Sequence, residues 1–272
     1  MTTTLRPAEP LQHHTDGTRS RRYQVCVNSR PVGAVQLATH PVFGPAVARI
    51  LDLRIDEPDR GRGRGTVAAL AAEEVARDWG CRRVEVTVPA GAALRLATAL
   101  GYVPRNRGME KRLGTTAPAL PEGTRGRPMT EAEYGPWREE GEAAYARSWI
   151  DRGVPEDEAR AKAERDHARL LPQGIATPGM LLSVLEHEGA AVGTLWLSVA
   201  EDRAFVFDVE TGEHFRGRGH GRSLMLLAEA QAVAAGKDVI GLNVFAGNTP
   251  AERLYESLGY RTVQHALYKT LL

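Results

Sequence analysis

The chain repeats itself, and the repeat constrains its fold more than any other feature. Arg60-Gly-Arg-Gly-Arg-Gly65 returns as Arg216-Gly-Arg-Gly-His-Gly221. Leu96-Ala-Thr-Ala-Leu-Gly-Tyr102 returns as Leu254-Tyr-Glu-Ser-Leu-Gly-Tyr260. A closing segment, Met109-Glu-Lys-Arg-Leu113, matches Leu267-Tyr-Lys-Thr-Leu271, and Val32-Gly33 matches Val192-Gly193. The landmarks keep one order and a nearly constant spacing. The chain is therefore two copies of one folding unit, and its 272 residues suffice for two domains of ordinary size. The stretch from Gly114 to Gly126, rich in Gly, Pro and Thr, reads as a linker. The expected division is a first domain over residues 1–113, a linker over 114–126 and a second domain over 127–272.

Periodicity supplies the elements. Phe205 to Thr211 is apolar and β-branched, a strand; the glycine-rich turn follows; Ser223 to Ala235 is rich in Leu and Ala, a helix stopped by Gly236. Val239 to Phe245 is the next strand. Pro250 then opens a helix whose Ala251, Leu254, Tyr255 and Leu258 form one apolar stripe. Alternating strands and helices predict an α/β (α+β) fold. An Arg-Pro pair opens each copy, Arg6-Pro7 and Arg127-Pro128, in or near a first strand. The second copy then carries a helical stretch from Thr130 to Leu171. It starts at the capping-box pattern Thr130-x-x-Glu133, weakened by Pro136, and restarts at Val154-Pro155 before acidic residues. The first copy has only residues 8–22 there, too short and polar for two helices, so it reads as truncated.

Composition excludes several classes. Lys and Arg (35) balance Asp and Glu (34), which argues against a nucleic-acid binder. Cys26 and Cys81 are too few for a disulfide framework or a zinc site, and no apolar run reaches the roughly 20 residues of a membrane helix. Met1 to His14 lacks the apolar core of a signal peptide. A cytoplasmic protein without metal, nucleic acid or membrane partner is expected.

The turn from Arg216 to Gly221 joins a strand to a helix N-terminus. Its unpaired amides and the helix dipole suit a phosphate or pyrophosphate, and glycines permit close approach. A P-loop is absent, and a dinucleotide fingerprint fails because its third glycine would fall on Arg222 or Thr66.

These residues resemble the GNAT superfamily of N-acetyltransferases. Arg216-x-x-Gly219-x-Gly221, Asn248 and Leu254-Tyr255-Glu-Ser-Leu-Gly-Tyr260 fit its motifs, and Arg60-x-x-Gly63-x-Gly65 fits in the first copy. The resemblance implies two tandem domains, each a mixed twisted sheet with flanking helices. It implies acetyl-CoA as donor, with the pyrophosphate on Arg216, Gly217, Arg218, Gly219, His220, Gly221 and Arg222. The pantetheine arm would pair with the strand near Val209 and Thr211, Asn248 would hold it, and Tyr255 would lie near the sulfur. The acetyl group would pass directly to an amine of a small molecule or peptide in a ternary complex, and a homodimer is allowed. An alkyl ammonium of pKa about 10 must lose a proton first, and Asp208 and Glu210 are the nearest candidate bases. Tyr255 would protonate the leaving thiolate.

Each assignment has a structural rival. Tyr255 lies on an apolar stripe, Asn248 precedes Pro250 as a turn residue would, Asp208 suits a structural role, and His220 suits a spacer. Trp137, Tyr145 and Trp149 recur at multiples of four, as core or as acceptor cage. Aligning the copies sets Ala97 against Tyr255, Ala90 against Asn248 and Arg54 against Glu210, while Asp52 matches Asp208. The first copy thus reads as non-catalytic, able at most to bind a CoA-like molecule. The rival reading of the whole chain is a CoA-binding regulator or scaffold without turnover.

Overall fold

Strands and helices alternate along the computed structural model, which describes residues 3–271. They gather into two units. The first contains strands β1 (Thr3–Pro7), β2 (Gln12–His13), β3 (Arg19–Val27), β4 (Arg30–His40), β5 (Gly44–Ile55) and β6 (Arg83–Val88), with helices α1 (Arg64–Asp78) and α2 (Ala92–Ala99). Strand β7 (Val103–Arg112) follows. The second contains β8 (Thr124–Pro128), α3 (Glu131–Ile150), α4 (Glu156–Leu170), β9 (Met180–His187), β10 (Ala190–Ser198), β11 (Ala204–Thr211), α5 (His220–Ala234), β12 (Val239–Phe245) and α6 (Thr249–Ser257). Strand β13 (Arg261–Thr270) closes the chain.

Within the first unit the order is β1-β3-β4-β5-β6-β13, with β2 beside β3; within the second it is β7-β12-β11-β10-β9-β8. Pairing is antiparallel among β1, β3, β4 and β5 and among β8, β9, β10 and β11; β5–β6 and β11–β12 are parallel. A helix spans each parallel pair, as such a crossover requires. Each sheet is thus mixed. Val25, Val35, Leu37, Ala68 and Ala72 centre one core; Leu195, Leu197, Leu224, Met225 and Ile240 centre the other. Among the described residues no helix lies between β1 and β3, as the short segment over 8–22 predicted.

The last strands change places. The first unit takes the chain up to Arg107 and again from Val263 on, and the second takes Gly108 to Thr262. Leu267 and Leu271 lie in the first core, and Met109 lies in the second. Lys269 Nζ meets Glu73 Oε2 of α1 at 2.7 Å, and Lys111 Nζ meets both Glu229 oxygens of α5 at 2.8 Å. Boundaries at residues 113 and 127, which give each strand to the copy that encodes it, differ from this by one strand at either end. The physical reason is near-equivalence. Both strands offer an inward apolar residue and a lysine for a buried helix glutamate, so local sequence does not choose between them. The stretch read as a linker is also partly structured: Leu120 packs on the second core, and Thr124 to Gly126 belong to β8.

Helix α3 starts where the capping box places it. Glu133 Oε2 accepts from the Thr130 amide at 2.8 Å, and Arg127 grips the same carboxylate at 2.6 and 2.8 Å. Arg127 first, then Thr130, hold Glu133 down at about 2. Pro136 sits inside the helix, exposed, with Gly135 before it to ease the steric clash that proline imposes on its predecessor. Among the described residues no helix is long and apolar enough to cross a membrane.

Candidate active site

Strand β11 makes the site by leaving its partner. It pairs with β12 only over Ala204 to Val206, opposite Ile240 to Leu242. On its other edge the ladder with β10 slips: Leu197 pairs Val206 but Trp196 pairs Asp208, so Phe207 is bulged out. Beyond the bulge, Val209, Glu210 and Thr211 still pair with β10, but their edge toward β12 is unpaired. An extended ligand could add itself to such an edge as a strand. The first unit repeats this: β5 pairs β6 over Val47 to Ile50, and Leu51 is bulged out between Ile50 and Asp52.

The turn after β11 follows from its glycines. Gly217 and Gly219 have φ of 76° and 87°, left-handed angles that disfavour side chains, and Gly219 is the N-cap of α5. A Cβ on either would meet nothing within 4 Å, so the constraint there is backbone angle, not crowding. Gly221 differs: its Cβ would lie 3.3 Å from Leu254 Cδ2, so this glycine brings α5 against α6. The matching Gly193 allows a second close approach, because a Cβ there would stand 2.4 Å from the Glu210 carbonyl oxygen. Arg216 Nε donates to the Thr211 carbonyl at 3.3 Å and closes the turn. The first amides of α5 carry the positive end of the helix dipole, but the Arg222 and Ser223 amides already donate to the Gly219 carbonyl at 3.0 and 3.2 Å and the Arg216 amide to Glu213, so the Arg222 and Arg216 amides expected at the anion are taken.

The named side chains separate here. Arg218 leans over the Phe215 ring at 5.9 Å, and Arg222 donates to Ser257 Oγ at 2.7 Å. The His220 side chain is buried, 5.1 Å from the His187 ring, so only its amide could serve an anion at the turn. Asn248 caps α6, its Oδ1 accepting from the Ala251 amide at 3.3 Å, which meets the turn-residue reading and leaves its amino group to spare. Trp137 and Trp149 are buried, and the Tyr145 hydroxyl donates to Asp166 at 3.2 Å, so these aromatics build the wall and do not form an open cage.

Two groups at the opening of the strands have altered acidity. Burial, with the Glu210 charge second, pushes the Asp208 carboxyl up to about 6, against the opposing Val209 amide. Burial, with the Asp208 charge second, pushes the Tyr255 hydroxyl up to about 12. At neutral pH Asp208 is a carboxylate able to take a proton, and Tyr255 is a phenol able to give one. The sequence reading missed the α3 side of the opening. Glu139, Glu140, Ala143, Ala144 and Arg147 border an open surface depression together with Glu210, and its charged side chains are exposed. Their hydrophilic run carries no motif, and only the packing of α3 reveals it.

The acetyltransferase (GNAT) family model matches twice, over residues 2–102 and 138–260. The chain belongs to the GNAT family. Both matches stop at the Gly-Tyr landmark, before the exchanged strands. The uncharacterized N-acetyltransferase YycN of Bacillus subtilis (strain 168) is 31% identical over 134 residues, 47% of this chain and 85% of that one. The mycothiol acetyltransferase of Streptomyces griseus is 29% identical over 267 residues, 94% of this chain and 81% of that one. Two solved structures share the fold. A GCN5-related N-acetyltransferase from Sphaerobacter thermophilus has TM-score 0.56 at 20% identity, covering 92% of this chain and 80% of its own. A tandem GNAT protein from the clavulanic acid biosynthesis pathway has TM-score 0.50 at 19% identity, covering 94% and 83%.

Proposed function

We propose that the second unit transfers the acetyl group of acetyl-CoA to a primary amine. The observation that carries this reading is the open edge of β11 beside a left-handed glycine turn at the N-terminus of α5, supported by the raised acidity constants of Asp208, through burial and the Glu210 charge, and of Tyr255, through burial and the Asp208 charge. Pairs of groups with separated acidities mark acid and base roles.

The turn from Arg216 to Gly221 holds the pyrophosphate on its amides, the free edge of Val209 and Thr211 takes the pantetheine arm, and the amino group of Asn248 bonds it. The donor supplies a thioester carbonyl. Asp208 accepts the proton that the acceptor ammonium must lose, and Glu210 orients that ammonium. The freed nitrogen attacks the carbonyl carbon, the carbon–sulfur bond breaks, the Tyr255 hydroxyl delivers its proton to the departing sulfur, and the second proton that the nitrogen sheds as the amide forms passes through water to restore the Tyr255 hydroxyl. No cysteine is placed to carry an acyl group, since Cys26 and Cys81 are both buried in the first unit. Direct attack is therefore favoured, with much of the rate coming from alignment. The mycothiol acetyltransferase likeness makes an amine on a thiol precursor one acceptor to include in a screen.

Calorimetric titration of the full chain with acetyl-CoA, followed by thiol release over a panel of amines, tests the reading. Saturable binding and amine-dependent release are expected. Tight binding without release from any amine would favour the rival reading, a CoA-binding regulator.

A further inference from the structure

The bulge in β11 turns an aromatic ring toward the candidate bases. Trp196 and Asp208 are directly paired in the ladder, and so are Thr194 and Glu210, so these four side chains share one face of the sheet. Phe207 is the extra residue at the slip. Alternation would send it to the face opposite Asp208. Its ring instead lies 4.9 Å from Trp196 and 5.0 Å from Phe205, which sets it on the face of Asp208.

Helix α3 reaches this face at two points and leaves Phe207 uncovered. Trp137 stands edge-on to Trp196 of β10 at 5.7 Å, and Trp149 stands edge-on to Phe245 of β12 at 5.6 Å. The two contacts are about 18 Å apart along the helix at the usual rise. Phe207 lies on the strand between β10 and β12 and makes no ring contact with α3 or α4 among the described residues. It is 37% exposed, whereas Trp137, Trp149 and Trp196 are buried. A ring fixed by two others yet open to solvent is a platform and not part of the core. Two kinds of polar group beside it lack partners. The Trp196 indole Nε1–H is buried with no hydrogen-bond partner among the described residues, and a buried donor is costly until a group arrives to accept from it. Asp208 and Glu210 form no ion pair among the described residues. The matching bulge of the first unit has neither feature: Leu51 is aliphatic, and Arg54 takes the register of Glu210.

We propose that the acceptor is an arylalkylamine whose ring lies on Phe207 while its ammonium meets Glu210 and Asp208. An apolar ring beside unpaired carboxylates calls for a ligand with an aromatic body and a cationic end. An aromatic body also brings the π face to which an indole N–H can donate. This rests on the acetyltransferase reading of the same site.

The test is calorimetric binding of phenethylamine, 2-cyclohexylethylamine and butylamine to the full chain saturated with CoA, with acetyl-CoA binding and amine-dependent thiol release measured alongside. Phenethylamine should bind about tenfold more tightly than butylamine, and 2-cyclohexylethylamine, with the bulk but not the π system, should fall between them. Phe207→Leu keeps an apolar side chain at the bulge and should erase the advantage of the aromatic amine over the saturated one; Phe207→Tyr should keep it. Leu51→Ala, at the matching bulge, should leave it unchanged. Equal binding of the two ring amines, or an advantage that survives Phe207→Leu, overturns the aromatic platform; intact acetyl-CoA binding and thiol release would then leave the acetyltransferase reading standing. A chain that neither binds acetyl-CoA nor releases thiol with any amine overturns the two together.

Discussion

The two units share their backbone devices and differ in their chemistry. Both have a bulge, at Leu51 and at Phe207. Both have two left-handed glycines before a helix, with φ of 72° at Gly61 and Gly63 against 76° and 87° at Gly217 and Gly219. Both have a glycine pressed on a carbonyl oxygen, at 2.2 Å for a Cβ on Gly33 and 2.4 Å on Gly193. What differs is most of the side chains and helices around them. Ala97 is buried where the second unit has Tyr255, Arg54 takes the register of Glu210, and α3 and α4 have no counterpart among the described residues of the first unit. Asp52 holds the register of Asp208 yet is exposed, whereas Asp208 is partly buried. Under the first turn, Asp59 accepts from Arg30 at 2.7 and 3.1 Å and pairs with Arg64; the second unit has Phe215 and His220 there. The comparison teaches that the backbone devices of the fold do not depend on the side chains set around them.

The largest effect that could break this comparison is at Tyr255. Tyr255→Phe keeps the ring and should lower kcat by about 10²–10⁴-fold, with KM little changed, in steady-state thiol release. Ala97→Tyr should create no activity. An unchanged kcat in Tyr255→Phe would return this side chain to the core.

Next in size is the exchanged strand. Lys111 is encoded in the first copy but pairs with the buried Glu229 of the second. Removing one partner of a buried pair costs about 3–5 kcal/mol. Lys111→Met should show this loss in denaturant unfolding and should weaken acetyl-CoA binding. Wild-type stability would mean that Glu229 does not depend on Lys111.

The turns give a smaller and more selective contrast. A left-handed residue with a side chain costs about 1–2 kcal/mol, more when β-branched. Gly219→Val should weaken acetyl-CoA binding by roughly 5–30-fold in calorimetry; Gly63→Val should leave turnover largely intact in a folded protein. Equal losses would make both turns functional.

The smallest effect sharpens the contrast between Asp208 and Asp52. If Asp208 is the base, kcat/KM should fall as pH drops through about 6. The Glu210 charge helps to raise that acidity constant, so Glu210→Gln should move the acid limb to lower pH. A raised carboxyl favours the folded state most below its unfolded value, and the advantage is lost as pH rises through about 6. Asp208→Asn should therefore melt higher than the natural chain at pH 8 and no higher at pH 4. An acid limb that stays in place in Glu210→Gln would remove Asp208 from the base role.

The sequence by itself determined what depends on neighbours along the chain. Glycines at 217 and 219 specify a left-handed turn because only they take its angles at little cost. Thr130 and Glu133 specify a helix start because their bonds span three residues, and the repeat specified two copies of one family fold. The tertiary structure alone decided what depends on distant residues. Met109-Glu-Lys-Arg-Leu113 and Leu267-Tyr-Lys-Thr-Leu271 are locally near-equivalent, so which strand completes which unit is decided by pairing across the chain. The bulge at Phe207 is a relation between two strands, and the acidity of Asp208 is a property of what buries it. Glu139, Glu140 and Arg147 stay an exposed helix face in the fold, and only their position beside Glu210 is a tertiary fact. Burial and strand register are non-local, and the electrostatics of the site follow from them.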